Sequence, residues 1–166
     1  MLITKKTKTK DLLPLLNEER FNRIMDAIDE YPLDKQLVEF TIGEFIDALD
    51  DDYTMRFFKE KKAYKAFGKL KSFKNQLEGI TKFLKQNDIE PNKEQKSAAQ
   101  GVNFLSFEEN MLYTAAEFFH LKSFDEAEKV KLSNYLLIHK KTSSEAKFQY
   151  NYNRIIDMKS KKNGKH

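Results

Sequence analysis

Among residue types that carry chemistry, the chain offers many lysines and carboxylates, three histidines and no cysteine. Zero Cys removes thiol nucleophiles, Cys-ligated zinc or iron–sulfur sites and disulfide frameworks. His120 and His139 are the histidines outside the C-terminal residue, and they fall in different expected elements. No His-x-x-x-His or His-Glu pair supplies metal-ligand spacing. His120 is expected near a helix C-terminus and His139 on a helix flank, where a donor meets unpaired carbonyls. Asp50-Asp51-Asp52 lacks the alternating oxygen ligands, central Gly and terminal Glu of an EF-hand loop. It suits the end of one helix and the cap of the next. Glu108/Glu109 and Asp125/Glu126 occupy first-turn positions of expected helices and need no catalytic role. Five scattered glycines form neither a Gly-x-Gly-x-x-Gly nor a Gly-Lys-Ser/Thr phosphate loop. The expectation is a protein that is not an enzyme, with no catalytic residue, no cofactor and no metal.

The remaining chemistry belongs to surfaces. Arg56 to Lys74 holds eight cations interleaved with Phe57, Phe58, Tyr64, Phe67 and Phe73, a composition suited to electrostatic contact with nucleic acid. Arg56, Lys59, Lys61, Lys62, Lys65 and Lys69 are the candidate contacts. Three observations weaken this reading. The cations spread around most of a helical wheel, 26 of the 30 cations are Lys and lack the bidentate fork of Arg, and an acidic segment nearby is available to neutralise them. At helical spacing the aromatics suit a core before a stacking platform. The chain has 14 Phe and no Trp. Adjacent rings in Phe57-Phe58 and Phe118-Phe119 project about 100° apart on a helix, so both members are buried only under a broad face or two neighbours. Phe57, Phe58, Tyr64, Phe118 and Phe119 are therefore the candidate interaction surface, because exposed apolar patches mark partner sites. The expected function is a protein–protein interaction or assembly module with a protein partner. Nucleic-acid association through 56–74 and the basic tails is the alternative.

Charge is strongly partitioned along the chain. The net +4 and the sequence pI near 9.0 arise at the ends: residues 1–10 and 159–166 each carry four Lys and no acid, leaving the body at −4. Within the body, 11–52 holds 13 acids against Arg20, Arg23 and Lys35, a net of −10, while 53–85 is +8 and 86–158 is −2. Acidic and basic helices that cancel one another inside the fold are the simplest account.

The elements that position these residues are helices. Gly and Pro are scarce, and Ser/Thr-x-x-Glu boxes precede apolar periodic runs. Helices are expected over about 17–30, ending at Tyr31-Pro32, from Thr41 through Leu49, over 53–86, from Ser106 to about His120, from Ser123, and from Ser133 to about Met158 with a restart at Thr142 or Ser143. Phe148 to Asn153 alternates like a strand, but Phe148, Tyr152, Ile155 and Ile156 also satisfy helical spacing. In 53–86 the apolar stripe changes direction between its halves. Either the helix breaks near Gly68, the preferred version, or its halves pack against different neighbours.

Phe40-Thr41-Ile42-Gly43-Glu44-Phe45-Ile46-Asp47, a charged helical middle, and Ser133-Asn134-Tyr135-Leu136-Leu137-Ile138-His139-Lys140-Lys141 before a lysine-rich tail resemble small helical proteins of phages and prophages in gut bacteria, including tail-assembly chaperone-like proteins. The two phrases cover 17 residues. The resemblance implies a non-enzymatic morphogenesis factor that shields an aggregation-prone helical partner, and it carries over no functional residue.

The expected architecture is an all-α multi-helix bundle. It has an N-terminal helical part (11–86) and a C-terminal one (104–158), two subdomains joined by a polar loop (87–103), with a helical turn at Lys93 to Gln100. Basic disordered tails, 1–10 and 159–166, flank them. No apolar run approaches a membrane span and no signal peptide opens the chain, so the expected location is the cytoplasm.

Overall fold

A computed structural model describes residues 3–4, 6–88, 91 and 93–163 of the chain. It is all-α. The helices are α1 (Thr9–Leu12), α2 (Glu18–Ala27), α3 (Ile42–Ala48), α4 (Asp51–Met55), α5 (Ala63–Asn87), α6 (Lys93–Ala98), α7 (Phe107–Phe119), α8 (Phe124–Ala127) and α9 (Leu132–Asn163). Short 3-10 turns lie at Leu13–Leu15, Leu37–Glu39 and Arg56–Lys59. The described residues form no β-strand, only isolated bridges between Lys8 and Lys62 and between Thr41 and Lys131.

Side-chain caps set the starts of α2, α3, α4, α7 and α8 by satisfying N–H groups that have no partner within the helix. Asn17 Oδ1 accepts from the Arg20 N–H at 2.9 Å, and Ser123 caps α8. Thr41 and Glu44 form a complete capping box at α3, as do Ser106 and Glu109 at α7. The Asp triplet supplies a cap too: Asp50 Oδ1 accepts from the Asp52 N–H at 3.2 Å. His120 ends α7 in the left-handed conformation with φ 54°, a C-terminal geometry more often taken by Gly or Asn.

The long helix expected over 53–86 is interrupted, but not at Gly68. The interruption lies at residues 56–62, where a 3-10 turn leads into extended backbone at Lys62. The N-terminal segment occupies this stretch. The Thr9 N–H donates to the Lys61 carbonyl at 3.1 Å and the Ala63 N–H to the Thr7 carbonyl at 3.0 Å. From Ala63 the helix runs uninterrupted through Gly68 to Asn87. Gly68 is needed for close approach instead. The Tyr31 N–H donates to its carbonyl at 3.0 Å, and a Cβ there would stand 2.7 Å from Tyr31 Cβ and 3.0 Å from the Asp29 carbonyl oxygen.

The change of stripe direction reflects two neighbours. Ala63, Ala66 and Phe67 of α5 pack with Leu12 and Ile24 in a small cluster. Phe73, Ile80 and Leu84 face a larger cluster containing Leu37, Ile42, Phe45, Met111, Ala115, Leu132 and Tyr135. That larger core draws on both sides of the polar loop, so 11–86 and 104–158 share one core. Backbone bonds join them as well. Ile42 N–H donates to the Val130 carbonyl at 2.8 Å, Gly43 N–H to Glu128 at 3.0 Å, and Leu132 N–H to Phe40 at 2.7 Å. α6 supplies the helical turn expected in the polar loop; Ile89, Glu90 and Asn92 lie outside the described residues.

The expected disordered tails fall partly outside the described residues, at 1–2, 5 and 164–166. Within them, Thr9 is buried and its hydroxyl donates to the Glu60 carbonyl, so 7–10 is docked on the body. At the other end α9 extends through Lys159 to Asn163. It passes Thr142 without restarting, because the Thr142 hydroxyl bonds back to the Ile138 carbonyl at 3.0 Å and does not cap a new helix. No described helix is long and apolar enough to cross a membrane.

Candidate interaction surface

The five aromatic residues singled out for a partner surface are separated by the fold. Phe57 is half-buried in the larger core, its ring 5.9 Å from Tyr53 and 5.7 Å from Phe73. Phe58 packs edge-on against Phe67 at 5.3 Å in the smaller cluster. Tyr64 is half-buried, 6.0 Å from Tyr31. Phe118 and Phe119 stay exposed at the end of α7, ring to ring at 5.3 Å and 81°. Phe118 and Phe119 lie on the same face of α7 as the buried Met111 and Ala115, seven and four residues further on, but in the last turn of the helix they are left exposed.

Beside this pair, α9 presents an apolar surface that sequence spacing alone does not single out. Its first turns bury Leu132, Tyr135 and Ile138. Burial raises the Tyr135 hydroxyl pKa to about 12, with the Asp88 carboxylate adding to the effect. Leu137, on another side of the same turns, is 67% exposed, and Phe148 is 69% exposed. Tyr152, Ile155 and Ile156 follow, also exposed. From Ser144 to Ser160 every side chain except Lys147 is exposed. Phe148 and Tyr152 stack on each other at 6.2 Å and 19°. Lys141 Nζ lies over the Phe118 ring at 5.3 Å, which joins the α7 pair to the α9 face. The sequence signal is a second apolar stripe on α9, and burial of the first by the body leaves the second without a partner in the fold.

The candidate nucleic-acid contacts are divided too. Arg56 stacks over Tyr53 at 4.7 Å and Lys65 over Tyr31 at 5.1 Å. Lys69 is buried, its ammonium 2.9 Å from Asp34 Oδ2 and 2.7 Å from Glu60 Oε1. Lys71 donates to the Ile28 carbonyl at 2.7 Å, at the negative end of α2. The acidic segment thus lies along α5, and the basic helix directs cations toward it. Lys59, Lys61 and Lys62 remain exposed. The bridge from Lys8 to Lys62 sets the exposed Lys8 and Lys10 beside them.

Titratable groups converge at one hollow of about 240 Å³ lined by Asp34, Lys35, Glu44, Arg56 and Lys69. The side-chain hydrogen bond from Lys35, then the Thr41 backbone, lowers the Glu44 pKa. Hydrogen bonds to Asp34 and Glu60 raise that of Lys69. Both shifts stabilise the charged forms. Proton transfer near neutral pH asks for the reverse, a raised carboxyl or a lowered ammonium. Among the described residues, no group of three or more His, Asp or Glu is arranged to hold a metal. His139 Nε2 instead lies 3.2 Å from Asp88.

Compared with known proteins, the chain matches no family model, no curated protein and no solved structure.

Proposed function

We propose that this chain is a non-enzymatic protein–protein interaction or assembly module acting in the cytoplasm, and that it engages its partner through Phe118, Phe119 and the exposed face of α9. The supporting observation is the α9 face itself. Leu137, Phe148, Tyr152, Ile155 and Ile156 are exposed on one helix, and large apolar surfaces of this kind are retained where a partner covers them. Morphogenesis of a phage or mobile element is the process favoured by the resemblance of 40–47 and 133–141. A photo-crosslinking residue in place of Phe148 is expected to give discrete adducts in producing cells, and one in place of Glu78 on α5 to give none. Absence of adducts from Phe118, Phe148 and Ile155 alike overturns the reading.

Electrostatic binding of nucleic acid is the second reading, favoured by the docking of Lys8 and Lys10 beside Lys59, Lys61 and Lys62. Binding of this kind weakens steeply with salt. A gel shift at low salt that disappears at physiological salt, and is lost in Lys8→Glu with Lys62→Glu, supports it; no shift at low salt removes it.

A further inference from the structure

We infer that the exposed face of α9 is covered by a second copy of this chain, the two α9 helices running antiparallel about a twofold axis at Tyr152. This rests on the interaction reading above and names its partner.

Turning about 100° per residue, Glu145, Phe148, Tyr152, Ile155, Ile156 and Lys159 fall on one side of the helix. This side is about 100° from Tyr135 and about 160° from Leu132, which the body buries; Ile138, also buried, lies on its flank but seven residues before Glu145, and from Ser144 to Ser160 every side chain except Lys147 is exposed. A second helix can therefore lie on it without displacing the fold. Charge selects the direction. The two ends of the stripe carry opposite signs, Glu145 and Lys159, each seven residues from Tyr152. A parallel pair sets Glu145 against Glu145 and Lys159 against Lys159. An antiparallel pair centred on Tyr152 sets each Glu145 level with Lys159 of the other copy, twice over by symmetry. The same register brings Phe148 level with Ile156 of the other copy, since both are four residues from Tyr152.

The four apolar side chains of this side, Phe148, Tyr152, Ile155 and Ile156, offer on the order of 100 Å² each. A symmetric pair thus buries about 800 Å² from them, and the polar side chains flanking them between Glu145 and Lys159 carry the interface toward the roughly 1,200 Å² at which stable ones begin.

The native chain has no cysteine, so single cysteines report the register directly. Under mild oxidation Tyr152→Cys is expected to form a disulfide-linked dimer. Glu145→Cys alone is expected to give no disulfide-linked product, and its mixture with Lys159→Cys to crosslink. Sedimentation equilibrium of the native chain is expected to show a concentration-dependent dimer. Phe148→Glu with Ile155→Glu should weaken it by about a hundredfold or more while leaving helicity unchanged and the thermal midpoint equal to that of the native chain at concentrations low enough for it to be monomeric, since both side chains project away from the body. Self-crosslinking of Glu145→Cys without that of Tyr152→Cys overturns the antiparallel register. A chain monomeric at hundreds of micromolar that still gives Phe148 photo-adducts with another protein overturns the second copy and keeps the interaction reading. A monomer with no adducts removes both.

Discussion

Lys69 is the one buried charged side chain among the described residues. Its side chain is 9% exposed, whereas that of Asp34, one of its two partners, is 90% exposed. Removing both carboxylates, Asp34→Ala with Glu60→Ala, strands a buried ammonium and is expected to cost about 3 kcal/mol, whereas Lys69→Met stays within about 1 kcal/mol of the native protein. Urea titration followed by circular dichroism measures both. The raised Lys69 pKa means that its contribution is complete below the ordinary lysine value and is lost as pH rises through the folded value. Glu44 works on the acid side. Its lowered pKa gives a contribution present above the ordinary carboxylate value and lost as pH falls through the folded one. Glu44→Gln is therefore expected to flatten the loss of stability below about pH 4.5, seen by comparing denaturation midpoints at pH 4 and pH 7. The Thr41 to Glu44 box is local, and its residues declare it in sequence. Lys69 looked like a nucleic-acid contact because Asp34 is 35 residues away in the chain and meets it only after folding.

The glycines of α5 separate two effects that a sequence cannot tell apart. At Gly79 an added Cβ meets nothing within 4 Å, so Gly79→Ala is expected to stabilise by about 0.5–1 kcal/mol through helix propensity. At Gly68 the same substitution meets Tyr31 Cβ and the backbone of Asp29 and Tyr31. It is expected to destabilise by about 1–3 kcal/mol despite the better propensity. Thermal denaturation of the two variants gives shifts of opposite sign. The element types and most starts were legible because caps and 3.6-residue periodicity are local signals. The break before α5 was not. It is made by Thr7 and Thr9 binding backbone at 61–63, a partner more than fifty residues distant. α9 shows the same division: its helical spacing was visible, and which of its two stripes the body takes was not.

α5 runs through both hydrophobic clusters, and this makes the molecule one cooperative unit. Phe67→Ala in the small cluster and Phe73→Ala in the large one are each expected to cost about 3–5 kcal/mol and to leave a single urea transition. Far-ultraviolet circular dichroism and tyrosine fluorescence should coincide, with Tyr53 and Tyr135 reporting the large cluster and Tyr64 the turn of α5 whose Ala63 and Ala66 belong to the small one. Two separated transitions would show that the clusters unfold independently. The whole-molecule charge follows the same arrangement. The −10 of 11–52 and the +8 of 53–85 lie side by side, joined by Lys69 to Asp34 and by Lys71 to the end of α2.

By itself the sequence determined the all-α class, the helix caps and the segmental charges. These depend on residue type and spacing within a few positions. Tertiary structure alone decided which aromatics are spent on the core, which cations are paired, and which face of α9 is left open. Each of those depends on contacts between residues tens of positions apart, where helical periodicity carries no information about the neighbour.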